Sequence, residues 1–276
     1  RSSAASDVYK RQVQRYGGLG AQATVHLRGL FGTQTLVLID GIPINSPDTG
    51  VCDFSLIPLA NIEKIEIIRG PFSSLYGANA VGGVVNIITS RPKEELSTQL
   101  ATEIGSWDRA KVYFLNQGSK GIFGYSLNTL YQETDGDRDN SYFRSFNSGL
   151  KSEFNFTDTK FWFKWDYSKN RLGNPGPKPS LDNSEWTPSQ TTYGNEDVSS
   201  LVDYSNEVHN YFSLGTKLNN WEAKIYFNDW ERDFYQWYSL WLGDNHKARY
   251  NHKPEVLGID LSLIHISEPT RLLSIS

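Results

Sequence analysis

The spacing of apolar residues changes once along the chain, near Arg91-Pro92. Before that point, short apolar runs are separated by turn residues. TLVLIDGIPIN (35–45) predicts a strand, an Asp40-Gly41 turn and a second short strand. In IEKIEIIRG (62–70), Ile62, Ile65, Ile67 and Ile68 are apolar and Glu63, Lys64 and Glu66 polar. The alternation from Lys64 to Ile67 favours a strand. Pro71 suits a first helical position, so FSSLYG (72–77) predicts a turn or short helix. Gly82-Gly83 then breaks the chain before the apolar strand VVNIIT (84–89). Residues 23–90 thus predict a mixed arrangement of strands and short helices.

Beyond Arg91-Pro92 there is no convincing helix, and eight runs of roughly ten residues alternate with a period of two. In FGYSLNTLY, Phe123, Tyr125, Leu127 and Tyr131 oppose Gly124, Ser126 and Asn128. In KFWFKWDYS, Phe161, Phe163, Trp165 and Tyr167 oppose Lys164, Asp166 and Ser168. In VHNYFSLGTKL, Val208, Phe212, Leu214 and Leu218 oppose His209, Ser213 and Lys217. The other runs span 96–104, 109–116, 146–154, 221–229 and 254–261.

One aromatic face and one face of Lys, Glu, Ser, Asn and Gly fit lipid outside and water inside. About ten residues is also what a tilted strand needs to cross a bilayer. The competing reading is a soluble antiparallel sheet with one buried face. Two features favour the membrane. Trp107, Trp162, Trp221 and Trp230 fall near run ends, as interfacial girdles do. Tight connections (118–121, 155–159, 218–221, and also 105–108) are interleaved with longer ones (133–141, 169–205, 230–249).

Composition removes several classes. A net charge of −4 argues against a nucleic-acid partner, which would want a basic stripe. No apolar run is long enough for a membrane helix, whereas barrel strands average out polar. The single cysteine, Cys52, forms no internal disulfide and has no metal-ligand neighbours; a small, half-buried residue is expected. In RGPFSSLYGANAVGGVVNIITS (69–90), Gly77 and Gly82 have phosphate-loop spacing. Gly83-Val84 replaces the required Lys-Ser/Thr pair, and no GxSxG elbow is present. The glycines are expected to serve tight turns and close backbone approach.

VHLRG (25–29), LVLIDGIPIN (36–45), IPLANIEKIEIIRGP (57–71) and LYGANAVGGVVNIIT (75–89) resemble, in order and spacing, the plug domain of TonB-dependent outer-membrane receptors. The resemblance implies an α+β plug domain followed by antiparallel transmembrane β-barrel strands, eight of an expected number of about 22. The expected division is a partial plug at 13–91 and the N-terminal part of the barrel at 92–261. Residues 1–12 and 262–276 share no pattern with the rest and resemble translated adaptor sequence, so they are expected to be non-native.

The family implies a bacterial outer-membrane receptor that imports a scarce nutrient, with a TonB-type energy-coupling protein and outer-membrane lipid as partners. Similarity in the plug leans towards the cobalamin receptors, with ferric siderophores as the alternative cargo. No enzyme is expected, because the five histidines fall near no nucleophile motif. A soluble β-rich adhesin would account for the strands but not for the plug motifs.

Three groups of site residues follow. The resemblance implies that Arg28 and Arg69, each preceding a glycine, lock the plug to glutamates of the inner wall. In ETDGDRDNS, Glu133, Asp135, Asp137 and Asp139 place oxygens at every second residue, a density that suits calcium. This is not an EF-hand, since Asn140 and Phe146 stand where Gly and Glu are needed. Cobalamin receptors bind calcium with aspartates of early outer loops, which supports the assignment without aligning residues; no other cofactor is expected. Trp186 and Tyr193 in the long segment 170–200, and Trp237 and Trp241 in FYQWYSLWLG, are candidate substrate contacts on outward loops.

Overall fold

The computed structural model describes residues 11–15, 18–57, 61–76, 78–138, 140–173, 204–239 and 245–263. The N-terminal part contains two small sheets. Strands β1 (Arg11–Arg15) and β2 (Ala23–Leu27) pair antiparallel. A four-stranded sheet combines β3 (Thr35–Ile39), β4 (Ile42–Pro43), β5 (Ile62–Arg69) and β6 (Gly83–Thr89) in the order β4-β3-β6-β5. The β3–β6 pair is parallel and the other pairs are antiparallel. The expected strand–turn–strand at 35–45 is present. So is a one-turn helix α1 (Ser73–Tyr76) behind Pro71.

Gly83 shows why the chain needs glycine before β6. Its φ is +147°, and a Cβ there would lie 2.5 Å from the Ile68 carbonyl oxygen and 2.7 Å from Leu27. Only glycine lets β6 come this close to β5 and β2. Leu27, Val37, Ile42, Ile44, Val85 and Ile87 form the core between the sheet and the wall, joined by Tyr211 from the wall itself.

The second part is a single antiparallel sheet. Its strands are β7 (Ser97–Gly105), β8 (Arg109–Lys120), β9 (Phe123–Thr134), β10 (Phe143–Asn155), β11 (Thr159–Gly173), β12 (Tyr204–Leu218), β13 (Trp221–Ser239), β14 (Asn245–His252) and β15 (Glu255–Leu263). Each strand from β7 to β13 pairs with the next, and β14 and β15 pair with successive halves of β13. Lys253-Pro254 separates β14 from β15, because proline supplies no N–H to a ladder. Nine strands therefore occupy eight positions, in line with the eight alternating runs. The sheet does not close among the described residues.

Two expectations are corrected. Segment 230–249 is not a long loop: β13 continues to Ser239 and β14 starts at Asn245. Asp233 accepts two hydrogen bonds from Arg249 on the neighbouring strand, at 2.8 Å each, and Phe234 stacks on Tyr250 at 4.7 Å. The strands from β8 to β13 also run 12–19 residues instead of about ten. Residues just outside the expected span 13–261 also pair in sheets. The pairing of β1 starts at Arg11 and that of β15 extends to Leu263.

The wall reverses the usual distribution of polarity. Ser126, Asn128, Ser145, Asn147, Glu153, Lys164 and Ser168 are buried, while Phe123, Phe146, Phe154, Phe163 and Leu214 are exposed on the other face. A soluble sheet buries its apolar face. Here the polar face is covered by the N-terminal sheets and the aromatic face is bare, the arrangement of a membrane barrel with a filled lumen.

Candidate functional site: the seat of the plug on the wall

The N-terminal sheets meet the wall through the turn between β3 and β4. Asp40 (φ 51°) and Gly41 (φ 83°) both adopt left-handed backbone, which gives the tight primed turn that Asp-Gly favours. The turn is held from inside the plug. Asp40 accepts hydrogen bonds from the Thr89 N–H at 2.9 Å and the Thr89 hydroxyl at 2.7 Å. Gly41 N–H donates to the Asn86 side-chain oxygen at 3.2 Å.

From the wall, Lys164 Nζ lies 2.9 Å and Lys151 Nζ 4.0 Å from the Asp40 carboxylate. Lys224 Nζ donates to the Asp40 carbonyl oxygen at 3.4 Å. Lys164 also approaches Asp166 at 3.2 Å and lies over the Tyr211 ring, 5.7 Å from its centroid. Lys151 reaches Glu153 at 3.9 Å, and Lys160 reaches it at 2.7 Å. Burial alone would raise the Asp40 pKa. The Lys164 and Lys151 ammonium groups and the two Thr89 hydrogen bonds outweigh it and hold the carboxyl at about 2. A second contact joins Asp48 of the plug to His252 of β14 at 3.4 Å.

Sequence reasoning placed Asp40 in a turn and the three lysines on polar strand faces, but did not bring them together. The signal was available in part: each lysine sits at an inward position of its run, in GLKSE, FKWD and EAKIY.

The expected lock residues lie apart from this contact. Arg28 (φ 56°) lies in the turn after β2 and Arg69 ends β5; both are exposed, and neither forms an ion pair among the described residues. The acidic segment begins inside β9, where Glu133 accepts a hydrogen bond from the Tyr131 hydroxyl at 2.7 Å, and continues into the loop that follows. Arg144 approaches Glu133 at 3.9 Å and Asp135 at 3.6 Å. Asp137 belongs to the same loop, and Asp139 lies outside the described residues. Among the described residues, no three His, Cys, Asp or Glu side chains converge as metal ligands. Trp186, Tyr193 and Trp241 lie outside the described residues. Trp237 belongs to β13, opposite Lys247, and not to a loop. Cys52 is fully enclosed in the plug core, more deeply than expected, and burial pushes its thiol pKa up.

Comparison with known proteins agrees with this geometry. Residues 4–84 match the TonB-dependent receptor plug domain family. The match begins inside segment 1–12, whose pattern is unlike the rest of the chain. The vitamin B12 transporter BtuB of Vibrio cholerae serotype O1 is 36% identical over 152 residues, covering 50% of this chain and 24% of the relative. The chain thus spans about a quarter of the length of the curated relatives it matches. Among solved structures, the ferric citrate transporter FecA in its unliganded form superposes with a TM-score of 0.70 at 19% identity, covering 92% of this chain and 40% of that one. The pyoverdine outer membrane receptor FpvA of Pseudomonas aeruginosa PAO1 gives 0.67 at 17% identity, covering 91% and 38%. The ferric yersiniabactin uptake receptor FyuA of Yersinia pestis gives 0.65 at 17% identity, covering 92% and 41%. These likenesses establish the fold, and the named relatives are transporters and receptors. With a plug sheet seated on the polar face of an antiparallel wall, the chain shares the fold of TonB-dependent outer-membrane receptors, and its N-terminal part matches their plug domain and is similar to a vitamin B12 transporter.

Proposed function

We propose that this chain is the plug and opening wall of a receptor that imports cobalamin with energy delivered by a TonB-type protein. The observation that carries a gated-channel reading is the reversed wall: its polar face is covered by the plug through buried ion pairs, so passage requires the plug to move. Cobalamin as cargo is supported by the 36% identity to a vitamin B12 transporter. Ferric siderophores are the second reading, favoured by the superposition on ferric citrate and pyoverdine receptors. Binding and passage need no catalytic step, and the nutrient is released unchanged.

Three features belong to this reading. Arg28 and Arg69 lock the plug to glutamates of a complete wall. The segment carrying Glu133, at the end of β9, and Asp135, Asp137 and Asp139 takes calcium, with Arg144 swinging away from the carboxylates it now approaches. Trp186, Tyr193, Trp237 and Trp241 supply aromatic surface for a large planar ligand. The test is calorimetric titration of cobalamin into the full-length, detergent-solubilised receptor, with and without calcium. Saturable binding strengthened by calcium supports cobalamin and the loop together. Absence of binding in both conditions removes cobalamin and moves the search to ferric siderophores.

A further inference from the structure

Two lysines face each other across the wall. Lys151 of β10 and Lys164 of β11 are direct register partners. Their side chains are 11% and 5% exposed. Like charges directly opposed on neighbouring strands destabilise the pair, and buried ammonium groups require anions. The wall supplies Glu153 and Asp166, but Lys160 competes for Glu153 at the shorter distance of 2.7 Å. The wall by itself is therefore short of negative charge at this point. The plug provides it: the Asp40 carboxylate is within ion-pair reach of both lysines.

The fit extends to a third strand. Lys224 of β13 reaches the Asp40 carbonyl oxygen. A Cβ on Gly41 would stand 3.1 Å from the Lys224 ammonium nitrogen, so the glycine that makes the turn also leaves room for the third cation. On the plug side, the two hydrogen bonds from Thr89 tie the same carboxylate to the last residue of β6. There the chain leaves the plug for the wall. One side chain thus joins the turn, the last plug strand and two wall strands, while its backbone engages a third.

We propose that Asp40 is the pin of the plug, held in a socket of Lys151, Lys164 and Lys224, and that it fixes the plug sheet to the wall at the point where the chain passes from one to the other. Asp40 is a positioning residue and touches no nutrient. Its charge is opposite to that of Arg28 and Arg69, so the plug is held by a carboxylate from the plug entering a cationic wall. The pin rests on the plug lying inside the wall, and not on the cargo or the energy source.

Cys52, the single cysteine of this chain, provides the readout, since it is buried in the plug core. The experiment measures maleimide labelling of Cys52, located by peptide mass, in the full-length receptor in outer-membrane vesicles. The variants are Asp40→Asn, Lys164→Gln and the two combined, with heat-modifiable mobility as the check that the barrel is intact. Each single change is expected to speed labelling about tenfold or more, because it leaves a buried charge without its partner. The double variant is expected to label no faster than the faster single one, since both remove the same interaction. Lys224→Gln, which removes the contact to the Asp40 backbone carbonyl and an ion pair within the wall to Glu222 at 2.7 Å but leaves the Asp40 carboxylate its lysines, is expected to give a smaller acceleration and serves if a stronger variant fails to fold.

Labelling rates within about twofold of the unaltered receptor, or single effects that multiply in the double variant, would overturn the pin. Uptake is not part of the readout. A receptor that labels as expected but takes up no cobalamin removes cobalamin as the cargo and leaves the pin standing.

Discussion

The plug and the wall use the same apolar residues in opposite ways. In the plug, Val37, Val84 and Val85 are at most 1% exposed and fill a core of ordinary soluble type. In the wall, Phe146 and Leu214 are 40% and 56% exposed, whereas Asn147 and Ser213 beside them are buried. The hydrophobic effect operates in both regions. What differs is the second solvent, which is protein for the plug and lipid for the wall. The contact between them is therefore polar, and its strength comes from paired charges such as Asp40 with Lys164. Tyr211 is one of the few wall side chains that join the plug core.

Opposite treatments of charge test this contrast most strongly. Val85 lies between Val37 of β3 and Ile67 of β5 in the register of the sheet. Val85→Asp is expected to destabilise the plug by about 3–5 kcal/mol, the cost of an unpaired buried charge. Urea-dependent labelling of Cys52 would register the loss, with the barrel's mobility shift retained. A smaller effect is expected for Phe163→Lys on the outer face. A lysine there should cost about 2–4 kcal/mol at the bilayer midplane and less near either interface. In a soluble sheet the same change at a half-exposed site would be almost neutral. Refolding into vesicles, followed by urea titration, distinguishes the two. A neutral Phe163→Lys would remove the lipid-facing assignment of β11.

Acid should act on the contact between the two regions. Asp40 faces Lys164 of β11, Lys151 of β10 and Lys224 of β13, and Asp166, Glu153 and Glu222 share those lysines. Its carboxyl is held at about 2, below the ordinary value of 3.8. The folded state thus binds the proton less readily than the unfolded chain. The stabilisation is fully present above about pH 4 and is lost as pH falls through about 2, amounting to about 2 kcal/mol. The urea midpoint of plug release should fall across that window in the unaltered receptor and be flatter in Asp40→Asn. Parallel profiles would show that Asp40 contributes no differential proton affinity.

The sequence made the two regions legible because their periods differ. Mixed short runs around Asp40-Gly41 and Gly82-Gly83 marked the plug, and inward Ser126, Asn128 and Lys164 marked a lumen-facing wall. Strand ends were read less well. The charges Glu231, Arg232 and Asp233 broke the alternation of β13, and only cross-strand partners such as Arg249 and Glu207 reveal them as ladder residues. The candidate site was less legible still. Asp40 lies 124 residues before Lys164 and 184 before Lys224, and no local pattern encodes that approach. The lysines align only once β10, β11, β12 and β13 are set in register. Arg28 and Arg69 were identified through family resemblance, which carries motif positions but not partners.

The smallest effect is expected from truncation on the outer face, and it separates the two solvents more finely than any charge does. Removing methyl groups from a protein core costs a transfer term plus a cavity term, typically ~2–5 kcal/mol for Leu→Ala. Leu214 stands on the aromatic face of β12, paired in register with Phe163 and Ile225. Fluid acyl chains fill the space left by Leu214→Ala, so only the transfer term should remain, about 1–2 kcal/mol. That cost should also be insensitive to which apolar neighbour is trimmed next, because no shared cavity couples the sites. The measurement is the urea midpoint of refolding into vesicles for Leu214→Ala, Ile225→Ala and the pair. Additive losses of this size describe a surface dissolved in lipid. A loss above about 3 kcal/mol, or strong coupling between the two, would mean that another layer of protein packs on this face and that the wall is a core after all.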